Sequence, residues 1–263
     1  MKTFTIKQLI LLLNLVIYPL NLVLANSQQD LERGNALAVQ GKIEEAITAY
    51  DSAIKYQPDL AEAYYNKGVA LEELGKDIEA ITAYDLAIKY KPYYLAAYLN
   101  KGIALYRLGR YLEALDCFDF VIKHKPDCSI AYSNKGLALV ELGKYLEAIT
   151  AYDIAIKYQP DFAVFYYNKG LALEKLGKWQ EANSAYDLAI KYKPDFIAAY
   201  NNKGIALYGL GRYLEAVTAY DLAIEYKPDN AEFYYNKGLA LKELGRQQEA
   251  KECFKKAEEL GKK

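Results

Sequence analysis

From about residue 27 onward, apolar positions recur with two nested periods. The inner period is helical. In residues 61–74, AEAYYNKGVALEEL, the side chains of Tyr64, Val69, Leu71 and Leu74 return near helical spacing with no proline inside. Ile78–Tyr90 repeats the pattern with Ala80, Ile81, Tyr84, Ala87 and Ile88. Gly75 separates the two runs. Pro92 closes the second, because proline lacks the N–H a helix needs and biases its predecessor away from helical dihedrals. The outer period is 34 residues: Pro58, Pro92, Pro126, Pro160, Pro194 and Pro228 are evenly spaced. Glycines follow in two series, one through Gly34, Gly68 and Gly102 to Gly238, the other through Gly41, Gly75 and Gly109 to Gly245. One such helix pair cannot bury its apolar stripe alone, whereas stacked pairs share a continuous core, so the pattern predicts an all-α stack of two-helix hairpins.

With each copy numbered from Ala61, Tyr64 is position 4, and Gly68, Leu71, Ala80, Tyr84, Ala87 and Pro92 follow at set places. This signature resembles the tetratricopeptide repeat (TPR) family over copies 27–60, 61–94, 95–128, 129–162, 163–196, 197–230 and 231–263. The resemblance implies an α–α superhelix, a right-handed solenoid of antiparallel helix pairs. It also implies a protein or peptide partner held on the concave surface, without naming that partner.

Residues 1–25 differ in kind. Lys2 and Lys7 precede an apolar stretch, Leu9–Tyr18, followed by Pro19 and then Val23-Leu24-Ala25. A basic start, a short apolar core, a helix breaker and small residues predict a secretory signal peptide cleaved after Ala25. The alternative is an uncleaved anchor, which Asn14, Pro19 and Asn21 weaken. Either reading places the repeats outside the cytosol, in a periplasm, an organelle lumen or the extracellular space, and the membrane is met only through residues 1–25 if they are retained. No cysteine follows Ala25 directly to carry a lipid.

Copy 27–60 has Asp30, Glu32 and Arg33 where other copies have tyrosine, asparagine and lysine, and the last copy has Lys251, Lys256 and Glu258 where copy 61–94 has Ile81, Leu86 and Ile88. Polar outer faces of this kind are expected of capping repeats.

At 100° per residue, positions 3, 4, 7, 8, 10, 11 and 14 of the first helix share one half of the wheel and change little between copies, so they form the packing half. The other half varies and resembles the concave, ligand-facing surface of TPR arrays. It carries Tyr65, Val69, Leu99, Ile103, Tyr106, Leu137, Val140, Tyr167, Leu171, Ile205, Tyr208, Tyr235 and Leu239. An apolar, tyrosine-rich exposed surface marks an interaction site; the plainer alternative is that these residues seal the superhelix against itself. Position 6 is Asn66, Asn100, Asn134, Asn168, Asn202 and Asn236. A carboxamide donates and accepts at once, which suits an extended peptide backbone, or these asparagines brace the next repeat. The carboxylate clamp of chaperone-binding TPR domains needs a lysine at position 5. Leu31, Tyr65, Leu99, Ser133, Tyr167, Asn201 and Tyr235 stand there instead, so no chaperone carboxylate is expected as ligand.

Lys67, Lys101, Lys135, Lys169, Lys203 and Lys237 fall on the packing half, where an ammonium needs a partner or a route to water. Pairing each with the position-25 aspartate of the preceding copy, from Lys67–Asp51 to Lys237–Asp221, accounts for every case. It predicts an ion-pair series that sets stacking register.

Charge and chemistry narrow the function. The chain has 33 basic residues, two of them in the leader, against 34 acidic ones, which offers no basic footprint for nucleic acid. The one histidine, His124, occupies a position that is tyrosine in most other copies and reads as a packing substitute. Cys117 and Cys253 replace alanine and read as small hydrophobes, while Cys128 lies in a turn as the reachable thiol. Glu45, Glu79 and Glu113 recur with the repeat, as a solvated face does. No phosphate loop, zinc spacing or hydrolase elbow is present. The sequence therefore predicts a non-enzymatic scaffold without metal or cofactor that binds a partner segment, or alternatively one that self-associates through the same surface.

Overall fold

A computed structural model describes residues 24–261. The export segment predicted for residues 1–25 lies outside the described residues, except that Leu24 and Ala25 open the first helix. Contacts divide the chain into two compact units, one ending at His124 and one beginning at Lys125. The first unit holds α1 (24–39), α2 (Ile43–Tyr56), α3 (Ala61–Glu73), α4 (Asp77–Tyr90), α5 (Leu95–Arg107) and α6 (Tyr111–His124). The second holds α7 (Ser129–Glu141), α8 (Tyr145–Tyr158), α9 (Ala163–Lys175), α10 (Trp179–Tyr192), α11 (Ile197–Gly209), α12 (Tyr213–Tyr226), α13 (Ala231–Glu243) and α14 (Gln247–Gly261). No strand occurs among the described residues.

Each first helix ends in the same way. Gly75 adopts φ +71°, its N–H donates to the Glu72 carbonyl at 2.9 Å, and the Lys76 N–H donates to the Leu71 carbonyl at 2.9 Å. This pair of bonds satisfies two carbonyls that the helix end would otherwise leave open, and the left-handed residue it needs is cheapest as glycine. The chain reverses there, and the second helix packs back on the first.

The packing half predicted from the sequence is the buried half. Ala63, Ala70 and Leu71 of α3 are buried, as are Ala80, Tyr84 and Ala87 of α4. The position-8 glycine supplies the closest approach. A Cβ on Gly68 would stand 2.5 Å from the Tyr84 ring, and Gly102 meets Phe118, Gly170 meets Tyr186 and Gly204 meets Tyr220 in the same way. Position 4 ties several hairpins to the preceding link: the hydroxyls of Tyr64, Tyr166, Tyr200 and Tyr234 donate to the carbonyls of Pro58, Pro160, Pro194 and Pro228. The same rings stack on position 30, for example Tyr166 on Tyr192 at 5.4 Å. In copy 95–128 the substitution of His124 changes this: Phe120 takes the stack on Tyr98 at 3.9 Å, and His124 lies against Phe120 and Tyr93.

Every expected ion pair that lies within a unit forms. Lys67–Asp51, Lys101–Asp85 and Lys237–Asp221 are at 2.5 Å, and Lys169–Asp153 and Lys203–Asp187 at 2.6 Å. The lysines are half-buried and the aspartates exposed, so the stems pack while the charges reach water.

Candidate functional site

Within each unit the first helices form one layer. Successive first helices touch, α3 with α5 and α7, α9, α11 and α13 in sequence, whereas no two successive second helices do among the described residues. Layers in contact on one side only curve toward that side, so the first helices line the inner face of each unit.

Of the residues predicted for this surface, Val69 and Tyr235 are exposed, 38% and 52%. In the first unit Tyr65, Asn66, Asn100, Ile103 and Tyr106 are half-buried, and in the second Asn134, Leu137, Tyr167, Leu171, Tyr208, Asn202 and Asn236 are half-buried. Asn168 departs from the set: it is buried, 8% exposed, and withdrawn from the surface the others share.

The asparagines bridge consecutive repeats. Asn66 Nδ2 donates to Asn35 at 2.8 Å, and Asn100 Nδ2 to the Tyr65 hydroxyl at 3.3 Å. Asn202 Nδ2 donates to the Tyr167 hydroxyl at 3.2 Å, and Asn236 Nδ2 to Asn201 Oδ1 at 3.1 Å. Asn134 instead donates to the Ile130 carbonyl of its own helix. The bracing role is thus present in the fold, and each bridge uses one of the two N–H groups a carboxamide has.

Two equivalent aromatic boxes result, offset by three repeats. In the first unit the Tyr65 ring lies 4.8 Å from Tyr94 and 5.9 Å from Tyr84. In the second, Tyr167 lies 4.7 Å from Phe196 and 5.9 Å from Tyr186. Burial pushes the Tyr94 phenol up to about 12 and raises those of Tyr65 and Tyr167, so all stay neutral donors at physiological pH.

Below each box sits a glutamate that the sequence pattern alone passed over. Tyr84 Oη donates to Glu72 at 2.7 Å, and Tyr186 Oη donates to Glu174. Glu72 is gripped by Arg107 of the next repeat, whose guanidinium also reaches Asp77 at 2.6 Å. At the matching places of the second unit stand Trp179 instead of Asp77 and Gly209 instead of Arg107. The signal that could have found this is the chain's one tryptophan and Gly209, one of two glycines outside the repeating series, which fall in the same two places.

In the second unit a hollow of 490 Å³ adjoins this box, lined by Tyr167, Ile197, Asn201, Asn202, Glu232, Phe233 and neighbours. Another of 470 Å³ lies between Tyr235 and Phe254. No group of histidine, cysteine and carboxylate side chains suited to a metal occurs among the described residues. Burial pushes the Cys117 thiol up to about 11 and raises that of Cys253, which favours the less reactive protonated form. Cys128 is half-buried, and so is Cys253, so Cys128 is not alone in its access to solvent. No helix of the described residues is long and apolar enough to cross a membrane.

Models described as TPR repeat match residues 34–75, 136–177 and 206–245, and tetratricopeptide repeat models match 61–94, 231–260, 95–128 and 163–196. No curated protein matches the sequence. Among solved structures, a tetratricopeptide repeat protein from Parabacteroides merdae is similar over 90% of this chain and 94% of its own, at 18% identity and a TM-score of 0.71. MamA protein is similar over 67% of this chain and 96% of its own, at 27% identity and a TM-score of 0.60. YrrB, a TPR protein with an unusual peptide-binding site, is similar over 72% of this chain and 97% of its own, at 22% identity and a TM-score of 0.60.

Proposed function

Because this chain belongs to the tetratricopeptide repeat family, whose members generally bind protein or peptide partners, we propose that it is a scaffold that docks a partner's extended or helical segment on the inner layer of first helices. The observation that carries this reading is the run of tyrosine and aliphatic side chains left at least partly open on that layer, copy after copy. Tyr65, Val69, Ile103 and Tyr106 in the first unit, and Leu137, Tyr167, Leu171, Tyr208 and Tyr235 in the second, take the apolar side chains of the segment. Tyrosine offers contact area at low conformational cost. The asparagines contribute the hydrogen-bonding groups left over from their bridges to the segment's backbone.

The protein has no reaction of its own in this reading. It works outside the cytosol, delivered by residues 1–25; the basic start and ten-residue apolar core support this, and N-terminal sequencing of the exported product should begin at Asn26.

The test is selection of peptides from a random display library on the full chain. Selected peptides should lose binding to a Val69→Lys, Tyr235→Lys variant and keep it on Ile78→Lys, which places the same charge on an exposed second-helix position. Peptides that prefer Ile78 to the inner layer overturn the proposal. An empty selection together with a mass that grows with concentration replaces it with self-association through this surface.

A further inference from the structure

The Tyr65 and Tyr167 boxes have a counterpart at the last hairpin, and it lacks its third ring. Position 5 of the last copy is Tyr235 and position 24 is Phe254. Their rings stand 5.6 Å apart, as Tyr65 and Tyr84, or Tyr167 and Tyr186, do at 5.9 Å. In the two complete boxes the next repeat supplies the rest. Tyr94 and Phe196, the residues just before α5 and α11, close on Tyr65 and Tyr167 at 4.8 and 4.7 Å. Ala97 and Ala199, three residues on, are fully buried in the same clusters. In the last copy a hollow of 470 Å³ is lined by Ala231, Tyr235, Phe254 and Ala257, with Glu232 and Glu258. Tyr235 is 52% exposed, and no helix follows α14 among the described residues.

The charge at this end is reversed. Seven residues after Tyr94 and Phe196 come Lys101 and Lys203, which pair with Asp85 and Asp187 at position 25 of the preceding copy, at 2.5 and 2.6 Å. Position 25 of the last copy is Lys255, which is 79% exposed and reaches Glu259 only at 4.0 Å. A helix seated here as α5 and α11 are seated on their predecessors therefore meets a lysine where they meet an aspartate. A second copy of this chain does not suit the place. Its own start carries Asn26, Gln29 and Arg33 where the α5 segment has Tyr94, Ala97 and Lys101. No ring would complete the box, and Arg33 would face Lys255, a like-charge contact that opposes association.

We infer that this end of the array seats the first two turns of a helix from a partner protein. That helix opens with an aromatic residue, has alanine three residues later and carries an acidic residue seven residues later. The ring completes the Tyr235–Phe254 box, where an aromatic neighbour adds to the gain from burial. The alanine lets the helix approach as closely as Ala97 and Ala199 do, and the acidic residue meets Lys255. The inference goes beyond the inner-layer reading. It shares Tyr235 with that reading, and its other contacts, Phe254, Lys255 and Ala257, lie on α14.

The probe is a fluorescein-labelled peptide copying residues 195–209, the segment that fills the Tyr167 box, with Lys203→Glu. A lactam bridge holds it helical, which circular dichroism checks. Fluorescence polarisation against the full chain should show saturable binding. Phe196→Ala in the peptide should weaken it at least about 10-fold, the loss expected of a central aromatic anchor. Restoring Lys203 should weaken it about 2- to 5-fold, and on a Lys255→Asp chain the preference should reverse. Lys255 is mostly exposed, so the exchange should not disturb the fold. No binding by the helical probe, equal binding of the Phe196→Ala peptide, or a charge preference unmoved by Lys255→Asp overturns the inference. So does self-association of the parent that strengthens on Lys255→Asp, which makes a second copy the occupant. Failure of this probe leaves the inner-layer reading standing, because the display selection also scores Val69, on another hairpin.

Discussion

Gly68→Ala is the sharpest probe of how the hairpins pack, because two effects of known sign oppose each other. In an ordinary helix interior this change stabilises by about 1 kcal/mol through the lower entropy cost of ordering alanine. Here the new Cβ would stand 2.5 Å from Tyr84 Cε1 and 2.8 Å from Cδ1, where ordinary contact begins at 3.4 Å. The ring must retreat by nearly 1 Å, but Tyr84 is fully buried and its hydroxyl is held by Glu72 at 2.7 Å. Overpacking of this kind costs typically about 1–3 kcal/mol, so the expected net result is destabilisation by about 0–2 kcal/mol. Urea unfolding followed by far-ultraviolet circular dichroism measures it, with m compared to check that the transition keeps its character. In a Tyr84→Val background, where the ring is gone, the same alanine should stabilise. A Gly68→Ala protein more stable than its parent with Tyr84 intact would refute the close approach.

Three further outcomes follow from single sites. Asn183 occupies the core position that Ile81 fills in another copy; it is 6% exposed and its Oδ1 is buried without a hydrogen-bond partner, so Asn183→Ile should raise stability by about 1–2 kcal/mol in urea unfolding. Glu174, whose folded carboxyl is raised from its 4.5 reference by burial, binds protons more readily folded than unfolded, so its effect on stability turns unfavourable as pH rises above that value. Glu174→Gln should therefore match the parent near pH 4 and exceed it at pH 7 in denaturant midpoint, and a lower midpoint at pH 7 would contradict the assignment. A double-mutant cycle on Lys101→Met and Asp85→Asn should give a coupling of only about 0–1 kcal/mol, because the aspartate side is half open to solvent.

The hairpins, their glycine terminators and the lysine–aspartate pairs were legible because each is a periodic feature: a residue type at a fixed position implies a fixed neighbour one repeat away. Lys67–Asp51 and Lys237–Asp221 could be paired on paper for that reason. The asparagines were only half legible. Asn100 and Asn202 share a position with Asn168, yet two reach a tyrosine hydroxyl in the preceding repeat while Asn168 is buried, and position alone does not distinguish them. The Glu72–Arg107–Asp77 grip was not legible, because it joins positions where the copies disagree. Arg107 has no counterpart of its kind at its place in most other copies, so no periodicity points to it. The division after His124 has no marker in the repeat register, which runs through that point without insertion or deletion.

The central claim is that the inner layer of first helices receives the partner, and site-specific photocrosslinking tests it most directly. A photoreactive phenylalanine analogue would replace Val69, Tyr235, Ile78 or Leu214 one at a time, and products from cells making the full chain would be mapped by mass spectrometry. Val69 and Tyr235 lie on the inner layer, while Ile78 and Leu214 are exposed on second helices. The account predicts that probes at Val69 and Tyr235 capture one discrete segment of a partner protein and that probes at Ile78 and Leu214 do not. Capture from the second-helix probes alone, or of nothing but a second copy of this chain, would contradict it.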